Sequence, residues 1–375
     1  MSMYIGLMSG TSLDGVDGVL VGFGAAGGTG PALKVAAHRH LPFSSDLRQT
    51  LLGLNSRGDD ELHRSALAGN ALARIYAAVI SQLLQAGEQP ASTVHAVGAH
   101  GQTVRHQPQA FDGTGYTLQL MNGALLAELC GIDVVCDFRS RDLAAGGQGA
   151  PLAPAFHAAH FARSDQSVAV LNLGGMGNLS FLPAHGQALG FDCGPGNALL
   201  DAWCQRHLGK TYDDNGGWAE TGAVNSSLLF AMRAEPFFAQ PPPKSTGRDL
   251  FNSRWLQSML SKAGAGLSPV DVQATLAELT VVACADAVQT HGPRTLQLLV
   301  CGGGAFNAHL MRRLAAHLPG ILVQSTASQG VPPNQVEALA FAALAKAFIE
   351  RQPGNLPSVT GARGARLLGA LYPAS

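Results

Sequence analysis

Apolar residues along this 375-residue chain fall into short runs and a few long 3.6-residue periods, divided by clusters of glycine and polar residues. Tyr4 to Met8 forms the first run and enters a turn of Ser9, Gly10, Thr11 and Ser12. A second run, Val16 to Phe23, leaves that turn, and a Gly-rich stretch follows from Gly24 to Gly30. Between Asp59 and Gly87, Leu62, Ala66, Leu67, Leu72, Ile75, Val79, Leu83 and Leu84 recur at helical spacing and predict a long helix. Short runs at Val94–Ala99, Tyr116–Leu120 and Asp133–Cys136 then alternate with a helix from Asn122. The second half repeats this grammar: a helix near 151–163, strands at 167–173 and 178–182, and a helix over 195–208. Later come a helix over 268–290, a strand at 295–301, a helix from Phe306, a strand at 320–324 and a terminal helix from Asn334. Strands alternating with helices predict an α/β fold with mixed sheets. The Pro-rich stretch from Glu235 to Lys244 is expected to be an insertion or a surface loop.

Three of the Gly clusters end apolar runs. In the first, Gly10 and Gly15 permit a tight reversal, with backbone N–H groups and the Ser9, Thr11 and Ser12 hydroxyls facing inward. Such a concavity suits a polyphosphate, and Asp14 or Asp17 can reach its metal through water. The spacing is neither a P-loop nor G-x-G-x-x-G, and an ordinary hairpin with a Gly-rich tip has the same pattern. Residues 168–181 echo the strand–turn–strand order around Gly174, Gly175, Gly177 and Asn178 while sharing almost no letters with the first unit. Two such hairpins can close on one polyphosphate. In the third cluster a buried strand ends in Gly302, Gly303 and Gly304 before a helix, which allows a ligand close to the backbone.

Asp192 is the candidate catalytic carboxylate, between a short apolar lead-in and Gly194-Pro195-Gly196. There it can deprotonate an attacking hydroxyl or water, or serve only as a helix N-cap. Two polar segments can hold a substrate. One carries His100, Gln102, Thr103 and Arg105 after a strand; the other carries Arg139 and Arg141, whose guanidinium groups suit a carboxylate or a surface ion pair.

Hydrophobic residues make up 46% and charged residues 13% of the chain, so large cores are available and disorder is disfavoured. Net charge is −1 with no sustained basic run, which argues against nucleic acid or an anionic membrane as a principal partner. The N-terminus has no signal-peptide character, the apolar stretch from Ala338 to Ile349 is too short to span a bilayer, and no C-x-x-C occurs among six cysteines. A cytoplasmic protein with reduced thiols is expected. Gly209-Lys210-Thr211 lacks the earlier glycine of a Walker A motif, and G-x-S-x-G is absent. His157 and His160 have no accompanying ligand cluster.

The segment Met8-Ser9-Gly10-Thr11-Ser12-Leu13-Asp14-Gly15-Val16-Asp17 resembles the signature of the anhydro-N-acetylmuramic acid kinases, in the sugar kinase, Hsp70 and actin superfamily. The resemblance continues through residues 99–103, 137–139, 173–178, 191–197, 301–304 and 332–338, nearly the whole chain. Cys193 stands where the family often has threonine. The resemblance implies a two-domain sugar kinase/Hsp70/actin-like fold, mixed sheets flanked by helices, and a central active-site cleft. It implies ATP and Mg²⁺ as cofactors and anhydro-N-acetylmuramic acid as substrate, with hydrolysis of the 1,6-anhydro ring and phosphorylation of O6 during peptidoglycan recycling. Asp192 would be the base and Glu337 a supporting residue. Residues 10–17 and Gly174, Gly175, Gly177 and Asn178 would hold phosphates, and Gly302–Gly304 would line the adenosine pocket. His100, Gln102, Thr103 and Arg139 would contact the sugar.

On this reading residues 1–138 form an N-terminal domain with the first phosphate hairpin and part of the sugar site. Residues 139–375 form a second domain with the other hairpin, the catalytic Asp and the adenosine site, the last residues being free to pack back on the first. A homodimer is compatible with the sequence. Another carbohydrate kinase of the superfamily, or a non-catalytic nucleotide switch, stays open as an alternative.

Overall fold

The computed structural model describes residues 1–10, 12–24, 33–248, 250–264 and 266–374. Thr11, and the Gly-rich stretch beyond Gly24, lie outside the described residues. The chain divides into two compact units, Met1–Phe156 with Gln335–Ser375, and His157–Asn334.

In the first unit β1 (Ser2–Ser9), β2 (Gly15–Phe23), β3 (Leu33–Pro42), β4 (Val94–Pro108), β5 (Gly115–Leu120) and β6 (Val134–Cys136) belong to one sheet. Its central order is β6-β4-β1-β2-β3, with β1, β4 and β6 parallel and β2 and β3 antiparallel; β5 folds back on the second half of β4. In the second unit β7 (Ser167–Leu173), β8 (Met176–Leu182), β9 (Leu189–Pro195), β10 (Thr295–Cys301) and β11 (Leu322–Ser325) follow the order β11-β10-β7-β8-β9. Here β7, β10 and β11 are parallel while β8 and β9 are antiparallel. The two sheets therefore repeat one topology. Finally β12 (Ala370–Tyr372) pairs with β6 at the edge of the first sheet.

Parallel central strands covered by helices on both faces must be apolar almost throughout. Val168, Ala169, Val170, Leu171 and Leu173 of β7 and Leu298, Leu299 and Val300 of β10 are accordingly buried. Glycine brings a helix unusually close to the first sheet. A Cβ on Gly6 would collide with the Ala338 carbonyl, and one on Gly98 with the Phe341 carbonyl, so the helix Val336–Ile349 lies directly on β1 and β4. The long predicted helix is Glu61–Ala86, with Leu72, Tyr76, Val79, Ile80 and Leu83 buried against the same sheet.

Several expectations are corrected. Residues 139–156, grouped by sequence with the second domain, lie in the first unit. The cause is the fully buried Asp142, which accepts from Gly149 N (2.8 Å), Asn355 Nδ2 (2.6 Å) and Thr360 Oγ1 (2.8 Å), partners remote in sequence. β4 does not stop at Ala99: it continues to Pro108 because β5 supplies a partner for its polar second half. β3 is an edge strand with many exposed polar positions, and β9 is rich in glycine, so neither shows a clean apolar run. The helix expected from Phe306 begins as a 3₁₀ turn, Gly303–Phe306, and becomes α-helical at Ala308–His317, capped by the Asn307 side chain on Leu310 N (3.0 Å).

Candidate active site

Both sheets present Gly-rich hairpins at the C-terminal ends of their first strands, the edge where open α/β sheets bind ligands. In the first hairpin Leu13 adopts φ +56° and donates its N–H to the Gly10 carbonyl (3.2 Å), closing the turn. Leu13 and Val16 drive their side chains into the core, so only their backbone groups can meet a ligand. Gly15 is packed so closely on β3 that a Cβ would strike the Leu41 carbonyl. The Ser9 hydroxyl does not line the turn: it is buried against the Tyr76 hydroxyl (2.9 Å) and donates to the Gly101 carbonyl (2.9 Å). Ser12 Oγ donates to the exposed Asp14 carboxylate (2.6 Å). Asp17 instead turns to β3, within 3.1 Å of His40 Nδ1 and 3.3 Å of His38 Nε2.

The predicted substrate residues form a layered cluster beside this hairpin. Arg139 donates through Nη2 and Nε to His100 Nε2 (2.9 and 3.2 Å) and through Nη1 to the Gly149 carbonyl (2.7 Å). His100 Nε2 thus acts as acceptor, leaving Nδ1–H to donate to the Ser9 carbonyl (3.3 Å). Burial, and then the Arg139 charge, push the His100 pKa down to about 3, so the ring is neutral at physiological pH. Burial lowers Arg139 to about 10, with the Glu337 and Asp142 carboxylates opposing, and it stays charged. His100 is buried and packs on the Phe341 ring at 4.6 Å, so it supports Arg139 from beneath. Gln102 Nε2 donates to the Gly10 carbonyl (3.0 Å) and ties β4 to the hairpin tip, while Thr103 Oγ1 accepts from Gln119 on β5 (3.1 Å).

In the second unit the Gly174 and Gly175 carbonyls accept from the first N–H groups of the segment entering the helix Asn197–Leu208. The bonds are Gly196 N to Gly175 O (3.0 Å), Asn197 N to Gly174 O (2.8 Å) and Ala198 N to Gly175 O (3.1 Å). Asn197 Nδ2 adds a bond to the Leu173 carbonyl (2.9 Å), so hairpin and helix form one rigid corner. Beside it, Gly302 at φ +77° donates its N–H to the Pro333 carbonyl (3.0 Å), and a Cβ there would strike Asn172 Oδ1. Gly304 packs on Leu173, and Gly303 is open to a ligand. Gly177 and Asn178 sit at the start of β8, where Asn178 is the register partner of Asp192.

Asp192 lies within β9, five residues before the helix Asn197–Leu208, and does not cap it. Its partners come from the Pro-rich segment expected to be a surface loop. Asp192 N donates to the Lys244 carbonyl (3.1 Å), and Thr246 N donates to Asp192 Oδ2 (2.9 Å). Burial raises the Asp192 carboxyl to about 7, and the Thr246 N–H only partly offsets this. A carboxyl poised there can exchange a proton near neutral pH. Next along β9, Cys193 donates to the Gly177 carbonyl (3.1 Å) and touches Cys284 Sγ at 3.3 Å; that contact, and then burial, keep its thiol protonated. A cavity of about 430 Å³ is lined by Cys193, Phe238, Lys244 and His291. Lys244 and Thr246 escaped the sequence reading; the polar Lys244-Ser245-Thr246-Gly247 run closing the prolines was the available signal.

Among the described residues no group of three or more His, Cys, Asp or Glu converges as a metal-ligand set. An exposed Asp14 beside Ser12 fits a cation held mainly by phosphate oxygens and water.

A duplicated β-sheet unit of this strand order, each copy opening with a Gly-rich hairpin, defines a member of the sugar kinase, Hsp70 and actin superfamily. Residues 2–374 match the family model described as anhydro-N-acetylmuramic acid kinase, and the chain belongs to that family. An anhydro-N-acetylmuramic acid kinase of Variovorax paradoxus is 60% identical over 99% of this chain and 99% of its own. One from Albidiferax ferrireducens is 58% identical over the same shares, and one from Cupriavidus metallidurans 57% identical over 99% of this chain and 97% of its own. Among solved structures, component A of the Acidaminococcus fermentans (R)-2-hydroxyglutaryl-CoA dehydratase covers 92% of this chain and 97% of its own. Its identity is 11% and its TM-score 0.48, too remote a likeness to add to the strand order. The protein is therefore an enzyme, a carbohydrate kinase.

Proposed function

We propose that the protein uses ATP to open the 1,6-anhydro ring of anhydro-N-acetylmuramic acid and phosphorylate O6, giving N-acetylmuramic acid 6-phosphate and ADP in peptidoglycan recycling. The observation that carries this reading is Asp192, a carboxyl raised to about 7 with one oxygen fixed by Thr246 N, close to a Gly-rich hairpin. Asp192 takes a proton from a water as that water attacks C1. The C1–O6 bond breaks, and O6 takes the γ-phosphoryl group as the bond to ADP breaks. Backbone N–H groups at the tip of the first hairpin, apart from that of Leu13 already donated to Gly10, and of the Gly174–Gly175 turn hold the phosphates, and Gly302–Gly304 approach the adenosine. Arg139, kept rigid by His100 and Gly149 and attracted by Glu337, holds the sugar's lactyl carboxylate. Bound Mg²⁺ supplies charge neutralisation at the phosphoryl oxygens.

ADP release should depend on both the sugar and Mg²⁺. The first hairpin offers carboxylates and no lysine, so excess EDTA should abolish turnover, and Asp14→Ala should lower kcat/KM for ATP by about tenfold or more. Asp17→Ala should act more weakly, because Asp17 faces His38 and His40. Sugar-independent ADP release, or full activity in EDTA, would count against the proposal.

A further inference from the structure

We infer that the Thr246 hydroxyl is a positioning group for the attacking water, holding one of its hydrogens while Asp192 takes the other. The inference rests on the reading of Asp192 as base. Lys244 and Thr246 bracket the carboxyl: the Lys244 carbonyl accepts from Asp192 N, and Thr246 N donates to Oδ2. The segment is itself pinned, since Lys244 Nζ donates to the Phe237 and Phe238 carbonyls (both 3.2 Å) and lies over the Phe237 ring. With Oδ2 engaged, Oδ1 is the oxygen left to take a proton.

Thr246 Oγ1 is buried and, among the described residues, has no hydrogen-bond partner. Such hydroxyls are rare because an unmet buried polar group is costly, and a ligand or water partner is the usual explanation. This one belongs to the very residue that orients the base. A water between Asp192 Oδ1 and Thr246 Oγ1 has both hydrogens held and a lone pair free for C1. As its oxygen bonds to C1, one proton passes to Asp192. The other stays on the new C1 hydroxyl, hydrogen-bonded to Thr246 Oγ1 and never transferred.

The test is Thr246→Val, which replaces the hydroxyl by a methyl group and keeps the backbone N–H. kcat should fall by about 10²-fold, while KM for ATP and the acid limb of the pH profile stay in place. Tm should be unchanged or slightly higher, since an unpaired buried hydroxyl has been removed; a merely structural role would lower it. Thr246→Ser should regain most of the lost turnover. If the valine variant does not fold, Thr246→Ala against Thr246→Ser makes the same comparison. A valine variant within about twofold of wild type, or a serine variant as impaired as valine, overturns the inference. Asp192→Asn run in parallel separates the two levels: an inactive Asp192→Asn with a fully active Thr246→Val defeats only the role of Thr246, whereas an active Asp192→Asn defeats the base itself.

Discussion

Asp192→Asn should lower kcat by at least about 10²–10⁴-fold while leaving fold and ATP affinity close to wild type. Asparagine keeps the size of the side chain and an oxygen able to accept from Thr246 N, and loses only the capacity to take a proton. A structural cap would tolerate the change, because asparagine caps as well as aspartate. In the wild type, kcat/KM should rise with pH and level off above about 7, as the carboxyl ionises. Stability runs the other way. The folded pKa is raised, so the protonated form is favoured by folding; that contribution is present below about pH 4 and lost as pH rises through about 7. Asparagine does not titrate, so the variant should gain Tm relative to wild type between pH 4 and 8. A folded variant retaining more than a few per cent of wild-type turnover would remove Asp192 from the mechanism.

Asp142→Ala should strongly destabilise the first unit. Asp142 is fully buried and accepts from Gly149 N, Asn355 Nδ2 and Thr360 Oγ1. Alanine leaves three donors facing an empty corner, each costing about 1–3 kcal/mol before relaxation. A total loss of about 3–5 kcal/mol is expected, in the upper tail for one substitution, with Tm lowered by about 10 °C. Gly149 also carries the carbonyl that anchors Arg139, so KM for the sugar should rise more than KM for ATP. Thermal melting and steady-state kinetics check both parts; a Tm within 2 °C of wild type, on the scale of about 10 °C set above, would show that the corner closes without the carboxylate.

Much of this was legible in the sequence wherever one face or one period dominated. The buried runs of β1, β7 and β10 and the long helix Glu61–Ala86 announced themselves by apolar pattern alone. Of the hairpin glycines, Gly15 is the one its close approach to β3 demands. β3 was not legible, because an exposed edge gives no alternation, and β9 showed only as a strand end before Gly194. Contacts remote in sequence were hidden altogether. Nothing local says that Asp142 meets Asn355 and Thr360, or that a Pro-rich segment returns to orient Asp192. Leu13 and Val16 show a division the motif hides: their side chains serve the core, which leaves only backbone groups for a ligand.

In the proposed mechanism one active site couples water attack at C1 to phosphoryl transfer at O6. Turnover of anhydro-N-acetylmuramic acid with ATP in ¹⁸O-labelled water, followed by mass analysis of the product, tests it directly. One labelled oxygen at C1 for each phosphate on O6 is the predicted result. A phosphorylated product without the label would mean transfer to a free hydroxyl and would rule the coupling out.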